Sequence, residues 1–365
     1  MADEDPEAGS PSAGRPVSRP ATSTDVARLA GVSQKTVSRV LNDEPYVSES
    51  VRERVLAAAR ELGYRRNLAA AALNRGRSQR IGVVSLGTSL WGPSMLLLAI
   101  ERAVRRSGYA FTVVSTLEAD PSGIPAAMEE LLAQGVDGIV LSEPIDADLD
   151  LAFVTAPILS LGRVNGIVGP HVLELGVDGE AGGRAATEHL LALGHRTVWH
   201  VAGPLRWFSA QDRMRGWQRA LENAGATVPP VLDGDWSPAA GYAAGRELAG
   251  RPDVTAVFVA NDDMAVGLIR ALHDHGIDVP GQVSVVGYDG VPTSAYTFPP
   301  LTTVPQDFEA VATAGLADLL DVIDGKSPDD RPGRFPPPVR VIVRGSTAPP
   351  LTVSSTVTET PAQTP

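Results

Sequence analysis

The spacing of apolar residues changes character along the chain. Across 22–63 they recur every three or four positions in short blocks broken by polar or glycine-containing turns, with no alternating run. That pattern predicts three short helices. From residue 81 onward, near-continuous apolar runs at 81–86, 111–115, 138–141, 158–161, 198–202, 257–260 and 283–287 take turns with helical patterns. The helical stretches fall at 94–107, 126–134, 182–193, 213–224, 264–273 and 308–323. Apolar strands separated by amphipathic helices mark parallel sheets covered on both faces. So many units exceed one open sheet, which predicts an α/β core of two doubly wound lobes behind a helical head. In such sheets ligands bind beyond the carboxyl ends of the strands.

The first block carries specific punctuation. Thr24 is read as the cap of a two-turn helix with Asp25 in its first turn, and Gly31 ends it. Ser33 then caps a second helix from Gln34 to Asn42, with Val37, Val40 and Leu41 on one face and Gln34, Lys35, Ser38 and Arg39 on another. Ser48 opens a third, with Val51, Val55, Ala59 and Leu62 on one side. A small bundle with a merely wet polar face would share much of this. The helix, glycine turn, then a helix with Gln, Lys and Arg near its start is the helix-turn-helix arrangement. In a major groove Gln pairs with adenine and Lys or Arg with guanine. Thr36, Ser38 and Asn42 suit phosphate oxygens.

Charge changes the picture at this point. The 365 residues carry a net charge of −12, which alone argues against a polyanionic partner. Yet between Thr22 and Arg80 eleven Lys or Arg face six Asp or Glu, so a basic head precedes an acidic body. There is no cysteine, which excludes disulfides, thiolate zinc sites and a cysteine nucleophile. No apolar run is long enough for a membrane span, and the acidic N-terminal stretch lacks a signal core; a cytoplasmic location is expected.

The quoted head residues, together with 25–33, 36–42 and Leu62-Gly63-Tyr64, resemble the headpiece of the LacI/GalR family of bacterial repressors. Residues 67–73 resemble that family's hinge helix. The resemblance implies that Gln34, Lys35 and Arg39 read bases, with Asn67, Ala70 and Leu73 at the hinge and Leu73 wedged into the minor groove, where an apolar wedge kinks the duplex. Proline usually precedes the hinge asparagine; here it is Arg66, so hinge formation is expected to depend more on DNA. The expected layout is a disordered 1–21, the head at 22–66, hinge and linker at 67–80, an effector-binding and dimerising core at 81–346, and a disordered 347–365.

Within the body, polar residues gather at strand ends. Asn261 follows the run at 257–260, Asp289 follows 283–287, Arg213 is read at the start of a helix, and Trp236, Gln306 and Phe308 lie in or beside loops. Singly these are helix caps or core aromatics. Together, planar bidentate groups and flat apolar faces fit a polyol or sugar cleft. The family resemblance runs from about residue 24 to 345 and is closest to the lac branch. It implies that Arg213, Asn261 and Asp289 hold sugar hydroxyls, that Trp236 and Phe308 pack on the ring beside Gln306, and that Leu90, Pro93 and Leu96 form a wall.

Two positions depart from that branch: Leu161-Gly162-Arg163 lacks its aspartate, and Ser142-Glu143 replaces an asparagine–tyrosine pair. No heptad pattern follows residue 351, so a dimer rather than a tail-linked tetramer is expected. The partners implied are a pseudo-palindromic DNA operator, a sugar effector of the β-galactoside or related oligosaccharide kind, and a second copy, with no membrane, cofactor or metal. A secreted sugar-capture protein would need a signal segment and no basic head. An enzyme would need a catalytic motif, and no nucleophile elbow, phosphate loop or His-Glu-x-x-His is present.

Overall fold

The computed structural model describes residues 19, 21–41, 44–65, 77–87, 89–116, 121–142, 151, 153–163, 172–326 and 338–351. It divides into two compact units, Met1–Ser78 and Gln79–Pro365. Asn42, Arg66, Asn67, Ala70, Leu73 and Glu143, and with them the expected hinge helix, lie outside the described residues.

In the first unit α1 (Ser23–Ala30), α2 (Gln34–Leu41) and α3 (Glu49–Glu61) enclose a small core of Val26, Ala30, Val37, Val40, Val55 and Ala58. The cap of α1 is Thr22 rather than Thr24. Thr22 Oγ1 accepts from the Asp25 backbone N–H at 3.3 Å, and the Asp25 carboxylate accepts from the Thr22 N–H at 2.9 Å. This reciprocal box satisfies two orphan donors at once, which a cap at Thr24 could not. Gly31 closes the helix at φ +65°, a left-handed conformation that L side chains resist. Ser33 Oγ accepts from the Thr36 N–H at 3.1 Å and starts α2.

The second unit holds two parallel sheets. The first has the order β2-β1-β3-β4-β5, with β1 at Arg80–Ser85, β2 at Ala110–Ser115, β3 at Gly138–Leu141, β4 at Ile158–Ser160 and β5 at Val172–Glu174. The second runs β6-β7-β8-β9, with β6 at Trp199–Val201, β7 at Ala256–Val259, β8 at Ser284–Asp289 and β9 at Thr302–Pro305. Helices α4 (Trp91–Arg106), α5 (Ile124–Ala133) and α10 (Phe308–Ile323) pack on the first sheet. Helices α6 (Gly179–Ala192) and α9 (Asp262–Asp274) pack on the second, with α7 (Phe208–Asn223) against α6 and α8 (Pro238–Ala249) against α9. The strands β1, β3, β7 and β8 are almost wholly buried, as sheets covered on both faces require.

Each of the seven apolar runs coincides with a strand; β5, β9 and α8 were not legible. The α8 sequence PAAGYAAGRELA has too few large apolar residues to show a period. In β9 the polar Thr302 and Thr303 are fully buried; the Thr302 hydroxyl accepts from the Arg344 N–H at 2.9 Å, and the Thr303 hydroxyl donates to Asp262. Of the C-terminal stretch, residues 347–351 are described, and Ala348 is bound to the second sheet. Its carbonyl accepts from Ser284 Oγ at 2.9 Å and pairs with His195 Nε2 at 3.0 Å.

Candidate functional site

A cleft of about 930 Å³, counted out to its open mouth, lies at the strand ends of the second unit. All nine residues expected there line it: Leu90, Pro93, Leu96, Arg213, Trp236, Asn261, Asp289, Gln306 and Phe308. Leu90, Pro93 and Leu96 come from the start of α4, and Phe308 from the first residue of α10.

Arg213 occupies the second turn of α7, not a helix start as its sequence context suggested, because α7 begins at Phe208. The helix is drawn close to α6. A Cβ on Gly183 would lie 2.1 Å from the Arg213 carbonyl oxygen, and one on Gly216 would lie 2.0 Å from the Glu180 oxygen. Only glycine permits that approach, and it buries Arg213 to 5% exposure. Its guanidinium donates to the Ala260 carbonyl, lies 3.4 Å from Asp289 Oδ1, and stacks 3.8 Å from the Tyr288 ring centre and 5.4 Å from that of Trp236.

Asp289 ends β8 at φ +101°, a costly conformation for a non-glycine residue, which turns its carboxylate toward Arg213 and Gln306. Gln306 Nε2 donates to Asp289 Oδ1 at 2.6 Å. Burial pushes the Asp289 carboxyl up to about 6 despite the opposing pull of Arg213. Asn261 caps α9: its Oδ1 accepts from the Met264 N–H at 2.9 Å, while its Nδ2 donates to the Trp236 carbonyl at 3.0 Å. It thereby holds Trp236 at φ +74°, with the indole lying over Gly203, where no Cβ could fit. The bland role of Asn261 as a cap and its place in the cleft are both real.

Four N–H groups of cleft-lining residues are buried with no acceptor among the described protein atoms: Arg163 Nε, Arg213 Nε, Trp207 Nε1 and Trp236 Nε1. Arginine and tryptophan only donate, so four donors are sealed in the walls of the cleft without a partner. Its charges, by contrast, are matched. Arg213 faces Asp289 at 3.4 Å, and Arg163 faces Asp212 at 3.5 Å.

In the first unit Gln34, Lys35, Ser38 and Arg39 are exposed along α2, and Thr36 is half-buried. Gln34 Nε2 donates to Ser23 Oγ at 2.8 Å, and Arg39 lies 3.7 Å from the Glu44 carboxylate.

Residues 22–67 match the bacterial regulatory proteins of the lacI family, and 187–347 match the periplasmic binding protein-like domain. The lactose operon repressor of Escherichia coli (strain K12) is 35% identical over 319 residues, covering 85% of this chain and 86% of that protein. The chain belongs to the lacI family. A solved structure of the lac repressor dimer bound to operator and the anti-inducer ONPF is 34% identical, with a TM-score of 0.78. It matches 90% of this chain and 100% of the other. A complex of the transcriptional regulator CelR with cellobiose is 33% identical, with a TM-score of 0.65 over 89% of this chain and 99% of that one.

In this lacI-family chain the sequence did not reveal the cleft wall built by Trp207, Phe208 and Asp212 from the start of α7, nor Trp91. Trp207 and Trp236 meet edge to face at 6.1 Å. The only available signal was the departure at Gly162-Arg163, and both residues line the cleft. Ser142, at the second departure, also lines it, with its hydroxyl donating to the Val84 carbonyl at 3.1 Å. Among the described residues there is no group of three or more metal-ligating side chains, and no helix is long and apolar enough to cross a membrane.

Proposed function

We propose that this lacI-family regulator is a repressor that binds a pseudo-palindromic operator as a homodimer and releases it when a neutral saccharide fills the cleft. The carrying observation is Arg213. It is buried at the strand ends, with its charge matched by Asp289, its guanidinium stacked between aromatic rings, and its Nε still lacking an acceptor. A site with paired charges, planar polar groups and flat aromatic faces suits a ligand rich in hydroxyl groups and carrying no net charge. Arg213, Asp289 and Gln306 are assigned to sugar hydroxyls. Asn261 offers the amide hydrogen and lone pair its cap leaves over. Trp236 and Phe308 take the ring's C–H face, and Leu90, Pro93 and Leu96 take the apolar edge. A β-galactoside or related oligosaccharide is the first candidate, in keeping with relatives named for lactose and cellobiose.

On DNA, Gln34, Lys35 and Arg39 read major-groove edges while Thr36, Ser38 and Asn42 hold phosphates. Asn67, Ala70 and Leu73 are assigned to the hinge. Tyr296 and Phe298, 87% and 98% exposed, are the aromatic surface assigned to self-association. Sugar binding alters the lobe arrangement and the hinge spacing with a coupling of about 1–3 kcal/mol.

The test is a mobility-shift assay of the full chain on fragments of its own promoter neighbourhood, with and without lactose, cellobiose and methyl β-galactoside. Selective retardation relieved by a sugar is expected. Retardation no stronger than of random DNA refutes the repressor reading, and selective retardation indifferent to every saccharide refutes the effector reading alone.

A further inference from the structure

The wall that sequence reasoning missed has a chemistry of its own. Arg163 follows β4 in the first lobe, yet its contacts are on α7 of the second. Its Nη2 donates to Gln211 Oε1 at 2.8 Å and lies 3.5 Å from Asp212 Oδ1, and its guanidinium stacks 4.5 Å above the Phe208 ring. Arg163 is the cleft's second arginine, carried on the opposite lobe from Arg213.

Arg163 Nε is buried without an acceptor, and so is Trp207 Nε1 in a side chain only 6% exposed. Asp212, whose Oδ1 also accepts from Arg215 on its own helix, adds a carboxylate, and burial raises that carboxyl above the ordinary value. Beside the Arg213–Asp289 pair there is thus a second donor–acceptor pair, with its own aromatic faces in Phe208 and Trp207. Two such stations in one cleft match two linked rings better than one.

We propose that Arg163, with Asp212 and Trp207, forms a second saccharide subsite that makes the regulator selective for a disaccharide over either of its single-ring glycosides. This rests on the saccharide reading above. The ring at Arg213 supplies affinity common to all ligands. The second ring accepts from the Arg163 guanidinium, packs against Trp207 and donates to Asp212, so selectivity is lost when those groups go. A guanidinium fork is required, since an ammonium cannot hold Gln211, Asp212 and a sugar oxygen in one plane.

Calorimetric titration of the full chain with lactose, cellobiose, methyl β-galactoside and methyl β-glucoside tests it, in wild type, Arg163→Met, Arg163→Lys and Trp207→Phe. Methionine keeps much of the apolar cover on Phe208, and phenylalanine trims the indole face while keeping a ring. Both Arg163 variants should bind the preferred disaccharide at least tenfold more weakly than wild type, with the single-ring glycoside unchanged within twofold. Trp207→Phe should show a smaller loss of the same selectivity. Equal losses for one-ring and two-ring ligands would mean that Arg163 only braces the lobes, and unchanged disaccharide binding would mean that it touches nothing; either overturns the subsite. A wild-type protein that binds operator but none of the four sugars overturns the saccharide reading instead, and the subsite with it.

Discussion

Replacing Arg213 by methionine isolates the pair on which the cleft is built. The substitution leaves Asp289 at 9% exposure, with the Gln306 amide as its remaining side-chain partner. Removing one member of a buried pair costs about 3–5 kcal/mol. Part of that cost is avoided here. Burial already lifts the Asp289 carboxyl to about 6 against the pull of Arg213, so without Arg213 it takes up a proton at neutral pH rather than stay charged. A net loss of about 2–4 kcal/mol follows for Arg213→Met. Asp289→Asn should cost about 1–3 kcal/mol, since Arg213 keeps the Ala260 carbonyl and the Tyr288 face. The double variant buries neither charge and should be more stable than the two losses together predict, by about 1.5 kcal/mol or more. Urea unfolding followed by tryptophan fluorescence reads this directly, because Trp199, Trp207, Trp217 and Trp236 all belong to the second sheet's lobe and the first unit has no tryptophan. Losses that add within about 0.5 kcal/mol would show that the pair is not coupled and refute the reasoning.

The pH dependence of that lobe follows from its raised carboxyls, Asp262 and Asp289 above all. Asp262, 1% exposed, is held by the Val291 N–H at 2.8 Å and the Thr303 hydroxyl at 2.6 Å, and burial pushes it up to about 7. A carboxyl above its unfolded value contributes stability that is complete below about pH 4 and is lost as pH rises through the folded value. Asp262→Asn should therefore flatten the decline in melting temperature between about pH 4 and 7, and an unchanged slope would contradict the assignment. In the head, Thr22→Ala removes the capping box and should cost about 1 kcal/mol, read as a lower melting point of helicity with the cleft's sugar response intact. Phe298→Asp should shift the protein from dimer to monomer in analytical ultracentrifugation and weaken operator binding, while the monomer keeps its fold; a variant that stays dimeric removes that surface from the interface.

How much was written in the sequence depends on how local the cause is. The helices of the head, the seven apolar strands and the place of the cleft at strand ends follow from periodicity and punctuation, because capping, burial of one face and parallel pairing each act over a few residues. Six of the nine cleft residues, Arg213, Trp236, Asn261, Asp289, Gln306 and Phe308, stood out because each follows an apolar run or sits beside a loop, whereas Leu90, Pro93 and Leu96 came from the family resemblance alone. Arg213 was named but misplaced by a turn, since Phe208 rather than the arginine begins its helix. The rest is a product of packing. The approach of α6 and α7 through Gly183 and Gly216, the left-handed backbone of Trp236 and Asp289, and the reach of Arg163 to Gln211 and Asp212 join residues tens of positions apart. Their energies come from close contact and shared burial, which no local pattern encodes. The sequence determined most of the elements and the chemistry they carry; the tertiary structure decided which charges are matched and which side chains meet in the cleft.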